Sequence, residues 1–186
     1  MKKYFEAVTL GSISLHDDSK RERFYALVFG IKVKYLVIHF LLLTIALNFP
    51  VMVAIAKLPP FDAYSRLSGD SFLESNKLDA DTFNTNMIES GYGINIMLPL
   101  IGMAFGLILI LQIVFYGFAV LFSGWSRMMY SKISFKSRLG IFLFSSTLPV
   151  FGASIFGMFL PTVHIIIYYL IVIIIGFKRS ITCQNG

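Results

Sequence analysis

Residues 94–122 read INIMLPLIGMAFGLILILQIVFYGFAVLF, 29 consecutive positions without a charged side chain. Glu89 and Gly93 border the run on one side and Arg127 on the other. About 20 apolar residues are enough to span the hydrocarbon core of a bilayer. A backbone in lipid must satisfy its own hydrogen bonds, and a helix does this within one segment. The stretch therefore predicts a membrane-spanning helix, and the rest of the chain is placed by the side of it on which each part lies.

Two further apolar regions stand either side. Tyr35–Ala56 predicts a first span, with Pro50 kinking it or ending its regular part. Residues 139–177 predict two short spans, 139–157 and 161–177, joined by a turn around Gly157–Pro161. Pro149 kinks the first of these. Ser145, Ser146 and Thr147 precede it, with hydroxyls able to bond backbone groups that a proline frees. The expected fold is thus an all-α integral membrane protein of four transmembrane helices. A single span plus a re-entrant piece over 139–177 is the competing topology.

The composition agrees. Of 186 residues 56% are hydrophobic and only 14% charged, with mean hydropathy +0.76. A soluble domain has nearer a quarter charged. The net charge of +6 does not point to nucleic acid, because the basic residues adjoin apolar spans. Thirteen of the 16 fall in 1–34, in 123–138 (Arg127, Lys132, Lys136 and Arg138, with Trp125 and Tyr130) and at Lys178-Arg179, and three lie with six acids in 57–93. The acidic segment 57–93 lies between the first two spans. Cytoplasmic loops carry the excess of Lys and Arg, so both termini are expected in the cytoplasm. The single cysteine, Cys183, permits no internal disulfide and has no histidine neighbour in sequence.

The lead 1–34 begins with Tyr4, Phe5 and Val8, interrupted at Gly11 and Ser12. Ser19 and Glu22 then form a capping box, followed by Phe24, Leu27, Val28, Ile31 and Tyr35 at helical spacing. With Lys20, Arg23, Lys32 and Lys34 as its basic complement, 19–34 reads as an interfacial amphipathic helix on an anionic leaflet or a cytoplasmic extension of the first span, with an ordinary juxtamembrane collar as the plainer reading. The outer loop 57–93 is too short for a core of its own. Asp79, Asp81, Asn84 and Asn86 there suggest a calcium loop. Phe83 and Asn84 occupy positions that require Asp/Asn and Gly, so these are read as solvated turn residues.

Polar residues inside a membrane are functional hypotheses by default. Here they are His39, Asn48, Gln112 and His164. Asn48 and His164 differ in expected depth by roughly 3 Å at 1.5 Å per residue, so a bond across helices is expected between them, chiefly as structural glue. Gly102 and Gly106 form a GxxxG, and Ala153 with Gly157 a second small-residue face, both suited to close helix packing. No zinc spacing, nucleotide-binding glycine pattern or nucleophile–base constellation is present, so no catalytic, cofactor or metal residue is expected. The loop acids Asp79, Asp81 and Glu89 are the only ionisable cluster from which an enzyme could be built.

The stretch Phe135-Lys-Ser-Arg-Leu-Gly…Ser145-Ser-Thr-Leu-Pro149, the opening Leu58-Pro59-Pro60-Phe61 of the outer loop and Pro161 at the start of the last span carry a resemblance. The chain resembles the bacterial membrane proteins grouped as domain of unknown function 1189, some named maltodextrin-utilisation membrane proteins, and is broadly similar to the Yip-type membrane fold. The resemblance implies a bacterial inner-membrane accessory protein, near an ABC sugar importer, with no catalytic residues to carry over. The expectation is a non-enzymatic multi-pass protein whose partners are the bilayer and another membrane protein or a second copy. A small oligomeric transporter or channel is the alternative.

Overall fold

The computed structural model describes residues 1–13, 18–57, 85, 93–125, 133–160 and 163–182. These contain seven helices and no strand: α1 Lys2–Ile13, α2 Asp18–Gly30, α3 Val33–Ala56, α4 Gly93–Trp125, α5 Phe135–Ser145, α6 Thr147–Gly157 and α7 Val163–Thr182. The acids Asp79, Asp81 and Glu89, the calcium-like asparagines, Arg127, Lys132, Pro161 and Cys183 lie outside the described residues. α3 and the Leu98–Ser123 part of α4 are each long and apolar enough to cross a membrane, with mean hydropathy 2.3 and 2.5. α5 and α6 meet at a 42° bend and make a third crossing if they act as one broken span.

α3 and the α5–α6 pair run one way, α4 and α7 the other. At one end Val33 of α3, Gly117 of α4 and Lys136 of α5 line a common groove, and the rings of Phe122 and Phe177 lie 5.8 Å apart. At the other end Ser154 of α6 and His164 of α7 both bond the backbone of α3. α5 occupies the centre and touches each of the other six helices. Its consecutive residues Ile141, Phe142, Leu143 and Phe144 are all buried, as a helix hydrophobic all round must be. Outside, α3 presents Val37, Leu41 and Ile45, α4 Leu107, Val114 and Phe118, and α7 Ile166, Leu170 and Ile174. Contiguous apolar surface on this scale marks a lipid or protein interface.

The expected lipid-facing helix over 19–34 requires correction. α2 ends at Gly30, and α3 starts afresh at Val33, after an extended Lys32. The apolar stripe of α2 does not face lipid: Phe24, Tyr25 and Val28 are buried, with Ile31 beside them, under α1 and α5. Nor does Gly11 interrupt the first helix; α1 runs through it to Ile13. A Cβ on Gly11 would stand 2.6 Å from the Phe144 carbonyl oxygen, so glycine is what lets α1 lie against the backbone of α5. Arg23 pairs with Glu6 across the two N-terminal helices.

Proline acts differently at its two expected kinks. Pro50 sits inside α3, which continues to Ala56. Pro149 lies in the first turn of α6, where a missing N–H is tolerated. The break itself falls at Ser146, three residues earlier.

Candidate functional site: a polar centre at the helix break

Ser145, Ser146 and Thr147 stand at the α5–α6 bend, and all three are buried. Successive helical residues point about 100° apart, so their hydroxyls reach different helices. Ser145 Oγ accepts from Arg179 Nη1 of α7 at 2.8 Å. Ser146 Oγ accepts from the Tyr116 hydroxyl of α4 at 2.8 Å and donates to the Phe142 carbonyl at 2.6 Å. Tyr116 also meets the Tyr168 hydroxyl of α7 at 2.5 Å. Since Tyr116 gives its proton to Ser146, Tyr168 is the donor to Tyr116. Thr147 Oγ1 lies 3.1 Å from His39 Nε2 of α3.

The His39 tautomer follows from its neighbours. Thr147 donates to the Phe144 carbonyl at 2.9 Å, so it accepts from His39 Nε2–H. His39 Nδ1 is then the acceptor for the Tyr4 hydroxyl of α1 at 3.1 Å. The order Tyr4, His39, Thr147, Phe144 uses each of these protons once. Burial holds the Tyr4 phenol above its ordinary value, so it stays a neutral donor.

Arg179 closes the other side. Its Nη1 also donates to the Gly11 carbonyl. Its own carbonyl accepts from the Tyr25 hydroxyl at 2.7 Å, and its guanidinium lies over the Phe24 ring at 5.4 Å. One residue of α7 thus holds α1, α2 and α5. Desolvation pulls the guanidinium below its ordinary value, but arginine stays protonated throughout the physiological range.

A second polar layer surrounds Pro50. A proline has no N–H to give the carbonyl four residues earlier, here Ala46. Ser154 Oγ lies 2.7 Å from that carbonyl and 2.7 Å from the Val150 carbonyl of its own helix, so its one proton is shared between the two. One residue on, the Leu47 carbonyl accepts from His164 Nε2 at 3.0 Å. The expected partners Asn48 and His164 are therefore in neighbouring positions, but His164 takes the backbone of Leu47, and Asn48 donates to the Thr44 carbonyl within its own helix at 2.9 Å. Thr44 Oγ1 meets Gln112 Oε1 of α4. Asn48 Oδ1, Gln112 Nε2, His164 Nδ1 and the Tyr169 hydroxyl are buried without a bonding partner. Sequence reasoning missed Ser154, Tyr116, Tyr168 and Arg179. Pro50 was the available signal for Ser154, because it announces a carbonyl in need of a donor.

Of the small residues, Ala153 and Gly157 are buried, and a Cβ on Gly157 would press on the His164 ring at 2.7 Å. Nothing lies within 4 Å of a Cβ built on Gly102 or Gly106. Among the described residues no three His, Cys, Asp or Glu side chains gather closely enough to hold a metal. No protein-family model, curated protein or solved structure matches this chain.

The proline layer makes a prediction that isolates one bond. Ser154→Ala alone leaves the Ala46 carbonyl without its side-chain donor and is expected to cost about 1 kcal/mol, with up to 3 for a fully unsatisfied buried group. In a Pro50→Ala background the new N–H of residue 50 supplies that donor, and the same Ser154→Ala change is expected to cost almost nothing. A double-mutant cycle on unfolding in detergent reads the coupling directly. Additive effects would show that Ser154 does not serve the proline-freed carbonyl.

Proposed function

We propose that this chain is a non-enzymatic, four-span integral membrane protein that acts by association with other membrane components, as an accessory subunit or organiser. The observation that carries the reading is the use made of the buried polar groups. The hydroxyls of 145–147 and the residues they meet join α1, α3, α4, α5 and α7 to one another. They serve as ties between helices, while long apolar faces are left outward for lipid or another protein. Antiparallel α3, α4, α5–α6 and α7, with Lys34, Lys136 and Arg179 at one end, support four crossings with the basic end in the cytoplasm. The resemblance of 135–161 to bacterial inner-membrane accessory proteins supports the same reading, with an ABC importer as the partner to look for first.

Gentle solubilisation from the native membrane, followed by identification of what copurifies, tests this. A stoichiometric membrane complex is the expected result. A homogeneous species free of partners at native abundance would overturn it. A second reading, a small oligomeric transporter, is favoured by the unpartnered atoms of Asn48, Gln112 and His164. Under that reading, Asn48→Leu or His164→Leu in reconstituted vesicles abolishes flux while the protein remains folded. Under the leading reading both variants keep their copurifying partner.

A further inference from the structure

Beside the polar centre, α1, α3 and α6 leave an open groove of about 590 Å³. That volume lies within the range of small-molecule sites. Along α3 it extends from Lys34 to Ala46, roughly 18 Å at 1.5 Å per residue. One leaflet of the hydrocarbon core is about 15 Å deep. Its wall is nearly all apolar, with Phe5, Ile38, Leu42 and Phe151 exposed along it. His39 and Thr147 also line it, but their hydrogen bonds are directed at protein atoms, so the floor offers an occupant little beyond van der Waals contact. Lys34, exposed, stands at one end, with the ammonium 5.3 Å from the Tyr35 ring centroid. Lys32, two residues before it, is exposed as well, while Glu6 of α1 is engaged by Arg23.

We propose that this groove is a site for an anionic membrane phospholipid, with one acyl chain along α3 and α6 and the headgroup phosphate at Lys34. Depth, apolar lining and charge complementarity at one end together specify an amphiphile with a negative head and a chain one leaflet long. An extended protein segment would need polar partners for its backbone, which the groove wall does not offer. The proposal rests on the membrane placement of the chain and is independent of any protein partner.

Native mass spectrometry of the full chain in detergent tests it, with dioleoyl phosphatidylglycerol and dioleoyl phosphatidylcholine as probes. A basic residue near an anionic headgroup favours binding by about fivefold. The wild type is expected to retain phosphatidylglycerol by at least that factor over phosphatidylcholine. Lys34→Gln is expected to remove the preference, and Leu42→Trp, which fills the groove from its exposed side, to remove bound lipid of both kinds. Equal retention of the two lipids by the wild type, or unchanged preference in Lys34→Gln, would overturn the proposal. Lys34 is exposed, so its variant stays informative if the tryptophan variant misfolds. Carbonate extraction of the starting membranes reports the membrane placement separately, and extraction of the chain into the soluble fraction would refute that placement rather than the groove's chemistry.

Discussion

Arg179→Leu is expected to lower stability by about 3 kcal/mol, the range in which loss of a buried charged donor falls. Leucine keeps apolar contact with the Phe24 ring but supplies no N–H. The Gly11 carbonyl and Ser145 hydroxyl, both buried at that site, then lose the donor they share. The loss should be local as well as global, because the same residue joins α7 to α1 and α5, and α2 reaches its carbonyl through Tyr25. Limited proteolysis should accordingly cut the variant N-terminal to α3 sooner than the wild type. Arg179→Lys is the informative companion. A lysine ammonium is a compact point charge without the planar fork of guanidinium, so it is expected to recover one of the two bonds and about half of the loss. Unfolding midpoints in detergent for the three proteins give the test. If leucine matched the wild type, Arg179 would not be the tie between the N-terminal helices and the bundle.

The two longest apolar helices were legible because crossing lipid would impose one requirement on every residue, and that requirement is visible in composition. Val33–Ala56 and Gly93–Trp125 follow their expected bounds within a few residues for this reason. The N-terminal lead was not legible in the same way. Phe24, Val28 and Ile31 make the same stripe whether the surface beneath is lipid or α5, and spacing alone carries no information about which it is. The polar centre was half legible. Ser145, Ser146 and Thr147 stood out as hydroxyls before a proline, but two of them bond the carbonyls of Phe142 and Phe144 rather than that of Ser145, the one four residues before Pro149. Their further partners, 30 to 108 positions away, depend on which helices pack against the bend, and no local pattern encodes that. Similar expected depth did match His164 to the part of α3 that holds Asn48, since it bonds the carbonyl of Leu47. It did not show that the proline two residues beyond Asn48 would draw side-chain donors to the backbone.

Alanine at Gly11 or Gly176 is expected to destabilise the protein by about 1–3 kcal/mol, the usual cost of overpacking, whereas alanine at Gly102 or Gly106 is expected to leave it within about 1 kcal/mol of wild type. The sequence pattern alone would rank them the other way, since Gly102 and Gly106 form the recognisable GxxxG. The difference lies in what a methyl group meets. At Gly11 it meets the carbonyl of Phe144, a backbone atom in the central helix that has no rotamer by which to move aside. At Gly176 it meets the ring of Phe142, itself fully buried and held edge-on against Phe177 at 5.9 Å. At Gly102 and Gly106 it meets nothing within 4 Å, and alanine is the better helix former. Unfolding of the four variants in detergent measures the contrast, and wild-type stability in Gly11→Ala would show that α1 does not lie against α5 as described. The outward pair then becomes a probe of association. If a second membrane protein packs closely on the Gly102–Gly106 face, alanine there weakens the copurified complex while the isolated chain keeps its stability. If the face meets only lipid, both properties stay as they were. The same two substitutions thus separate a packing motif used within the chain from one reserved for a partner.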